Sequence, residues 1–212
     1  MIKEISSQMV SYNETREAID YCKKYFHGQL LDVGAGNGKY KGMLSGQTDK
    51  YFAVDIAPGP NIDLVADIHN TGLPDASFDT FVCTQVIEHV KNPFRVLEEI
   101  KRLLRPGGVC FVSAPFMYPY HPDPKDFFRF SAEGLQSFFA AGQYEVILVG
   151  KSGGFFSQLA NAIKISFVNK YEGFSVWYGK IFGRVIRLLN YFDRFYRPER
   201  IYCSSFVLVK KN

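Results

Sequence analysis

Gly34, Gly36 and Gly38 alternate directly behind an apolar run that ends in Asp32 and Val33, a spacing suited to bringing bare backbone against a ligand. Polar groups recur at matching places further on. Asp55 closes the apolar run Tyr51 to Val54, Asp67 closes the run Asp63 to Ala66, and Gln85 follows Phe78 to Cys83. If these runs are parallel neighbours, Asp32, Gly36, Asp55, Asp67 and Gln85 converge at the carboxyl ends of the strands, where open α/β sheets bind ligands. A carboxylate at the tip of the strand beside the glycine loop can accept hydrogen bonds from two ribose hydroxyls. Taken singly, each of these residues also reads as an ordinary turn or surface acid. Their convergence carries the argument.

The elements that must position them follow from periodicity and end signals. Ser11 and Glu14 have capping-box spacing ahead of Ala18, Ile19, Cys22 and Phe26, which predicts a first helix over Asn13 to Phe26. Tyr40 to Leu44 reads as a short helix. A longer one runs from Pro93 to Leu104, with proline in its first turn and Arg105-Pro106-Gly107-Gly108 as its stop. Val109 to Ala114 is then a fifth buried strand. Ser131 heads a helix over Ala132 to Ala141, followed by strands at Tyr144 to Val149 and Ile201 to Val209. Strands alternating with helices imply a doubly wound, mostly parallel α/β sheet, expected here with seven strands.

Composition narrows the setting. With 212 residues, 47% of them hydrophobic, the chain suits a single domain over 1–212 with a sizeable core, and a net charge of +4 is too small to argue for nucleic acid. Cys22, Cys83, Cys110 and Cys203 form no CxxC pair, so a reduced, cytoplasmic protein without a zinc framework is expected. Neither a signal peptide nor a membrane-spanning run is evident in the sequence.

The stretches LLDVGAGNGKY, AVDI, ADIHNTGLPDASFD, CTQVIEHVKNP and EEIKRLLRPGGVCFVSAP, spanning Leu30 to Pro115, resemble class I S-adenosylmethionine-dependent methyltransferases of the type 11 group. The resemblance implies a seven-stranded Rossmann-like sheet and S-adenosyl-L-methionine as cofactor, with S-adenosyl-L-homocysteine as product. It implies that Gly34, Ala35, Gly36 and Gly38 accommodate the methionine part. Asp55 would hold the ribose, Asp67 with Ile68 would meet the adenine, Gln85 would line the methionine side, and Asp32 and Ile56 are expected to bind the cofactor as well. The loop agrees, because Lys39 stands where the dinucleotide pattern GxGxxG needs its third glycine, which disfavours a dehydrogenase. Some relatives, including ubiquinone-biosynthesis O-methyltransferases, bind a divalent metal through an acid at the equivalent of position 85, then Glu and His. Gln85 is a poor ligand for a hard cation, so no metal is expected.

Methyl transfer to a hydroxyl needs a base. Two candidates arise: His89, which otherwise reads as a packed residue beneath the cofactor loop, and His121, in the proline-rich segment 115–131. That segment resembles HPxDxxRF-type stretches of bacterial methyltransferases from glycan and lipid-linked gene clusters, and Asp126 with Arg129 can pair to hold it. Residues 151–200 form an aromatic insert with nine Lys and Arg against three Asp and Glu. Ile181, Val185, Leu188, Leu189, Phe192 and Phe195 share one helical face while Lys180, Arg184, Arg187 and Arg194 share another. A basic amphipathic helix of this kind suits peripheral contact with the inner face of a membrane or receipt of a lipid-linked substrate; an ordinary packing surface is the other reading. The expectation is methyl transfer to oxygen on a small, glycan or lipid-linked acceptor. An RNA or protein methyltransferase, with nucleic acid less favoured, and a non-catalytic cofactor-binding partner subunit remain open alternatives, as does the oligomeric state.

Overall fold

The computed structural model describes residues 9–12, 14–46, 48–163, 176–196 and 198–212, with the side chains of 176–182 left aside. The expectations placed on Lys164, Phe167, Lys170, Tyr171, Glu172, Phe174 and Arg197, and those on the side chains of Trp177, Tyr178, Lys180, Ile181 and Phe182, therefore lie outside the described set.

Among the described residues eight strands form one sheet: β1 (Met9–Tyr12), β2 (Gln29–Val33), β3 (Lys50–Asp55), β4 (Leu64–Val65), β5 (Phe78–Thr84), β6 (Leu104–Pro115), β7 (Tyr144–Ser152) and β8 (Ser204–Lys211). Their order is β1-β7-β8-β6-β5-β2-β3-β4. All pairings are parallel except those of β8, which lies antiparallel between β6 and β7. The chain turns outward in opposite directions from β2, through β3 and β4 on one side and β5 and β6 on the other, so the crevice of the sheet opens at the carboxyl end of β2.

Alternation within the strands sorts the core into two layers. Leu31 and Val33 of β2 pack with Val96, Leu97, Ile100 and Leu103 of α3 (Pro93–Leu103) and with Leu135, Phe138 and Phe139 of α4 (Ala132–Ala141). Leu30 faces the other way, toward Ala18, Ile19 and Cys22 of α1 (Thr15–Cys22) and Leu44 of α2 (Lys41–Leu44). The helix starts at α3 and α4 are closed by their own side chains. The Asn92 side chain accepts from Arg95 N–H at 3.2 Å, and Ser131 Oγ accepts from Gly134 N–H at 3.0 Å.

Three expectations are corrected. The sheet has eight strands, because Met9–Tyr12 adds a parallel edge to β7, a non-local pairing that a four-residue alternation does not announce. The Ser11 and Glu14 capping box does not form: Ser11 lies within β1, Glu14 is the N-cap of α1, and no side-chain bond caps it. The strand expected from Val109 starts earlier: α3 ends at Leu103, as the Arg105 to Gly108 stop implies, but β6 takes up the chain at Leu104, and a register shift between Phe78 and Thr80 absorbs the added residues.

The insert is tied down by one buried acid. Asp193, just beyond α6 (Val176–Phe192), accepts from the N–H groups of Gly154 (3.1 Å), Phe156 (2.9 Å) and Ser157 (2.8 Å), closing the start of α5 (Phe155–Ile163). A second buried acid braces α3 against the 71–75 loop. Glu99 accepts from Thr71 N–H (2.9 Å) and Oγ–H (2.8 Å) and from two guanidinium nitrogens of Arg102 (2.9 and 2.7 Å). Burial acts to raise its pKa, yet these donors hold it down at about 2. A carboxylate depressed in this way stabilises the fold above its ordinary 4.5, and that contribution is lost as pH falls toward 2. Glu99→Ala, which orphans the Thr71 N–H and unpairs Arg102, is expected to cost about 2–4 kcal/mol in urea denaturation at neutral pH, with the deficit shrinking in acid.

Candidate active site

The carboxyl ends of β2, β3, β4 and β5 lie side by side, and the residues expected to converge do so. The glycine loop leaves β2 through Gly34, whose N–H donates to Val54 O at 2.8 Å. A Cβ on Gly34 would stand 2.1 Å from Val86 Cγ2, so only glycine lets the loop pass the end of β5. Gly36 differs: it adopts φ +53°, and a Cβ there would meet nothing within 4 Å. Its open side is room for a bound molecule. Ala35 and Gly38 complete the turn, Gly38 N–H donating to Ala35 O at 2.9 Å.

The polar groups around this loop are only partly satisfied. Asp55 Oδ2 accepts from Gly36 N–H (2.9 Å) and Oδ1 from Ala57 N–H (3.0 Å), which leaves each oxygen a further lone pair. Asp32 is buried; its Oδ2 accepts from Tyr51 O–H at 2.7 Å, while Oδ1 has no hydrogen-bond partner. Burial pushes its pKa up to about 6, with the Tyr51 bond opposing and the charge of Asp55 reinforcing. Ile56, beside Asp55, is 65% exposed despite being apolar. Asp67 Oδ1 is engaged by the N–H and Nδ1 of His69 (2.8 and 2.6 Å). Ile68 points into the core, so a ligand could meet only its backbone. Gln85 holds φ +57°, a left-handed conformation rare for a side chain with a Cβ, and its Nε2 donates to Ser113 Oγ at 3.2 Å.

The 115–131 segment folds back over the turn that follows β5. The carbonyl of Glu88 accepts from Phe127 N–H (2.8 Å) and Phe128 N–H (3.3 Å). Arg129 grips Asp126 with two nitrogens and donates to the carbonyls of Tyr118 and Pro119, as the sequence suggested for this pair. Asp126 Oδ2 in turn accepts from His121 N–H at 2.9 Å, and Arg129 holds the Asp126 pKa down at about 2.

This brings His121 and His89 together, with ring centroids 4.9 Å apart. His89 Nδ1 lies 2.6 Å from Lys125 O, and His121 Nδ1 lies 3.2 Å from Pro119 O. A carbonyl can only accept, so each Nδ1 carries the hydrogen and each Nε2 presents a lone pair. Both lone pairs face Glu88, whose Oε1 is 3.6 Å from His89 Nε2 and 3.8 Å from His121 Nε2. Glu88 is fully buried and neither carboxylate oxygen has a hydrogen-bond partner. Burial pushes its pKa up to about 8, reinforced by Asp126 and opposed by Arg129, while burial holds the His121 pKa below its ordinary value. Glu88 stands where some relatives have the Glu of their metal motif, and the sequence reading set it aside with that motif because of Gln85. Its signal was an acid set between Ile87 and His89 directly behind a buried strand.

A separate cleft of about 530 Å³ opens beside α1 and α2, lined by Tyr12, Arg16, Glu17, Asp20, Tyr21 and Met43. None of the strand-end residues lines it.

Strand order, a glycine loop at the point where that order reverses, and acids at the neighbouring strand tips define a Rossmann-like class I methyltransferase fold. Residues 31–112 match the family described as methyltransferase domain. A ubiquinone biosynthesis O-methyltransferase of Xylella fastidiosa is 31% identical over 113 residues, 45% of this chain and 46% of that protein. A human thiol S-methyltransferase is 36% identical over 80 residues, 38% of this chain and 30% of that protein. The chain thus spans less than half the length of these relatives. A crystal structure of an S-adenosylmethionine-dependent methyltransferase from Archaeoglobus fulgidus superposes with a TM-score of 0.61 at 14% identity, over 93% of each chain.

The residues present fit S-adenosylmethionine. Gly36 leaves space beside the loop, Asp32 Oδ1 awaits a donor, Asp55 retains acceptor capacity, and Ile56 offers an uncovered apolar surface next to it. Gly36→Ala is expected to cost about 1 kcal/mol in backbone strain and, by filling that space, to weaken S-adenosylhomocysteine binding at least about tenfold by calorimetry. Unchanged affinity would place the cofactor elsewhere.

Proposed function

We propose that this chain transfers the methyl group of S-adenosylmethionine to an oxygen on a small, glycan or lipid-linked acceptor. The observation that carries the reading is the pairing of a ligand-ready glycine loop with two imidazole lone pairs at the same end of the sheet, one on the turn after β5 and one on the loop stitched over it. The cofactor, when bound, supplies an electrophilic methyl on a cationic sulfur. The chain's own task is to aim the acceptor and take its proton.

His121 suits the second part. Its Nδ1 is anchored to Pro119, and its lowered pKa leaves the ring neutral and able to accept at Nε2. It is the more accessible of the two rings, its side chain 29% exposed against 13% for His89. The relatives differ in acceptor atom, one named for oxygen and one for sulfur. A hydroxyl needs a base more than a thiol does, since a thiol ionises near neutral pH, and the imidazole pair therefore favours oxygen.

The lipid-linked branch rests on α6. Leu188, Tyr191 and Phe195 are exposed alongside Arg184, Arg187 and Arg194, an apolar and basic surface complementary to an anionic lipid headgroup layer. No helix among the described residues is long and apolar enough to cross a membrane.

Two measurements test the reading. With labelled S-adenosylmethionine and a panel of free and lipid-linked glycans, His121→Ala is expected to lower kcat at least about 100-fold while S-adenosylhomocysteine affinity stays within about twofold. An unchanged kcat removes His121 from the chemistry. Co-sedimentation with vesicles should rise with anionic lipid content and fall in an Arg184→Glu, Arg187→Glu variant; indifference to lipid charge would confine the acceptor to the aqueous phase.

A further inference from the structure

We propose that Glu88, His89 and His121 form a binding site for one divalent first-row transition ion, of the kind that zinc, cobalt and manganese represent. One ligand atom from each of the three residues lies within 4.8 Å of the others. Two features of the geometry point to a cation. Both Nε2 lone pairs are directed inward, because both Nδ1 atoms are committed to backbone carbonyls. That arrangement, in which a second contact fixes the tautomer and orients the ring, is how ligating histidines are held. The carboxylate that they face is fully buried with both oxygens unpartnered. In its ionised form the carboxylate is acceptor-only, so it and the two lone pairs hold no hydrogen to share, and a positive ion that displaces the carboxyl proton satisfies all three at once.

The spacing agrees. Bonds of about 2.0–2.1 Å at a near-tetrahedral ion set ligand atoms roughly 3.3 Å apart. The two Glu88 separations, 3.6 and 3.8 Å, need to contract by only a few tenths of an ångström. The supports are firm on both sides: the turn at Ile87–His89 is fixed behind β5, and the His121 backbone is held by Asp126, itself clamped by Arg129. Three protein ligands leave at least one coordination position for an oxygen from outside the chain.

Ligand chemistry selects the ion. Two imidazoles with one carboxylate suit borderline transition ions, whereas magnesium and calcium favour oxygen-only cages. The expectation of no metal was built on Gln85, and Gln85 does turn elsewhere, to Ser113. What the linear reading did not weigh is that a residue from the loop after β6 could enter the set. The donor group is thereby changed from a carboxylate-rich one to an imidazole-rich one.

The site bears on the proposed reaction without depending on it. With an ion on both Nε2 atoms neither ring can take a proton, and an acceptor hydroxyl at the open position would be acidified by the ion's charge. Loss of turnover in His121→Ala is common to both cases, so the test reads the ion directly.

Chelator-treated full-length protein is titrated with Zn²⁺ by calorimetry and with Co²⁺ by visible ligand-field absorption. One ion per chain is expected at micromolar concentration, with Co²⁺ bands of low coordination number and no competition from millimolar Mg²⁺. His121→Ala, in a surface loop, and His89→Ala should each weaken Zn²⁺ binding at least about 100-fold and abolish the Co²⁺ bands, with circular dichroism confirming that the variants fold. Absence of saturable binding, or binding that survives the His89→Ala, His121→Ala double variant, overturns the proposal. Co²⁺ bands typical of six oxygen ligands would overturn it too.

Discussion

The parallel pairing of β2 with β3 on one side and β5 on the other is the constraint on which the rest of the molecule depends. Val33 stands opposite both Val54 and Cys83, so the chain exits all three strands at one level. A slip of one residue would reverse every side chain of β2, turning Asp32 into the apolar layer beneath α3 and Leu31 toward Tyr51. Register is therefore enforced by the same alternation that builds the core. The glycine loop, Asp55 and the turn carrying Glu88 inherit their positions from it.

Over this frame lies a polar arrangement that is costly by itself. A buried carboxylate without a partner forfeits its hydration, a penalty of at least about 1–3 kcal/mol by the measure of unsatisfied groups, and Asp32 Oδ1 and Glu88 share this condition. Both lie at the sheet end where the loops meet, while the equally buried Glu99 and Asp193, remote in role, are fully engaged. Glu99 and Asp193 are satisfied, whereas Asp32 Oδ1 and both Glu88 oxygens are not. That contrast separates bracing from binding more sharply than burial alone does.

Much of this was legible in the chain. Glycine spacing and acids at strand tips depend on local sequence, and α4 matches its expected bounds because Ser131 supplies a cap where a helical pattern begins. Pairings between distant segments were not legible. The edge strand at Met9–Tyr12 exists only because β7, far along the chain, offers it an open side. Glu88 and His121 were missed as a set for the same reason: the Asp126 and Arg129 clamp, and the Glu88 carbonyl that receives Phe127 and Phe128, decide how the loop closes, and no spacing along the chain encodes that closure. The Arg105 to Gly108 stretch was half legible. Its proline and glycines do follow the end of α3, but they also belong to β6, where a register shift in a central strand accommodates them.

The place of β8 has an effect on synthesis. Made after the insert, it occupies an interior position between β6 and β7, so until residues 204–211 emerge from the ribosome both of those strands carry an open edge. The nascent chain can assemble β2 to β6 and the glycine loop early, yet its sheet remains divided, with Val112 and Val149 each awaiting Val207. A pause in translation across residues 151–200 would prolong that exposure, making the insert a stretch where the timing of elongation governs how much of the chain escapes aggregation.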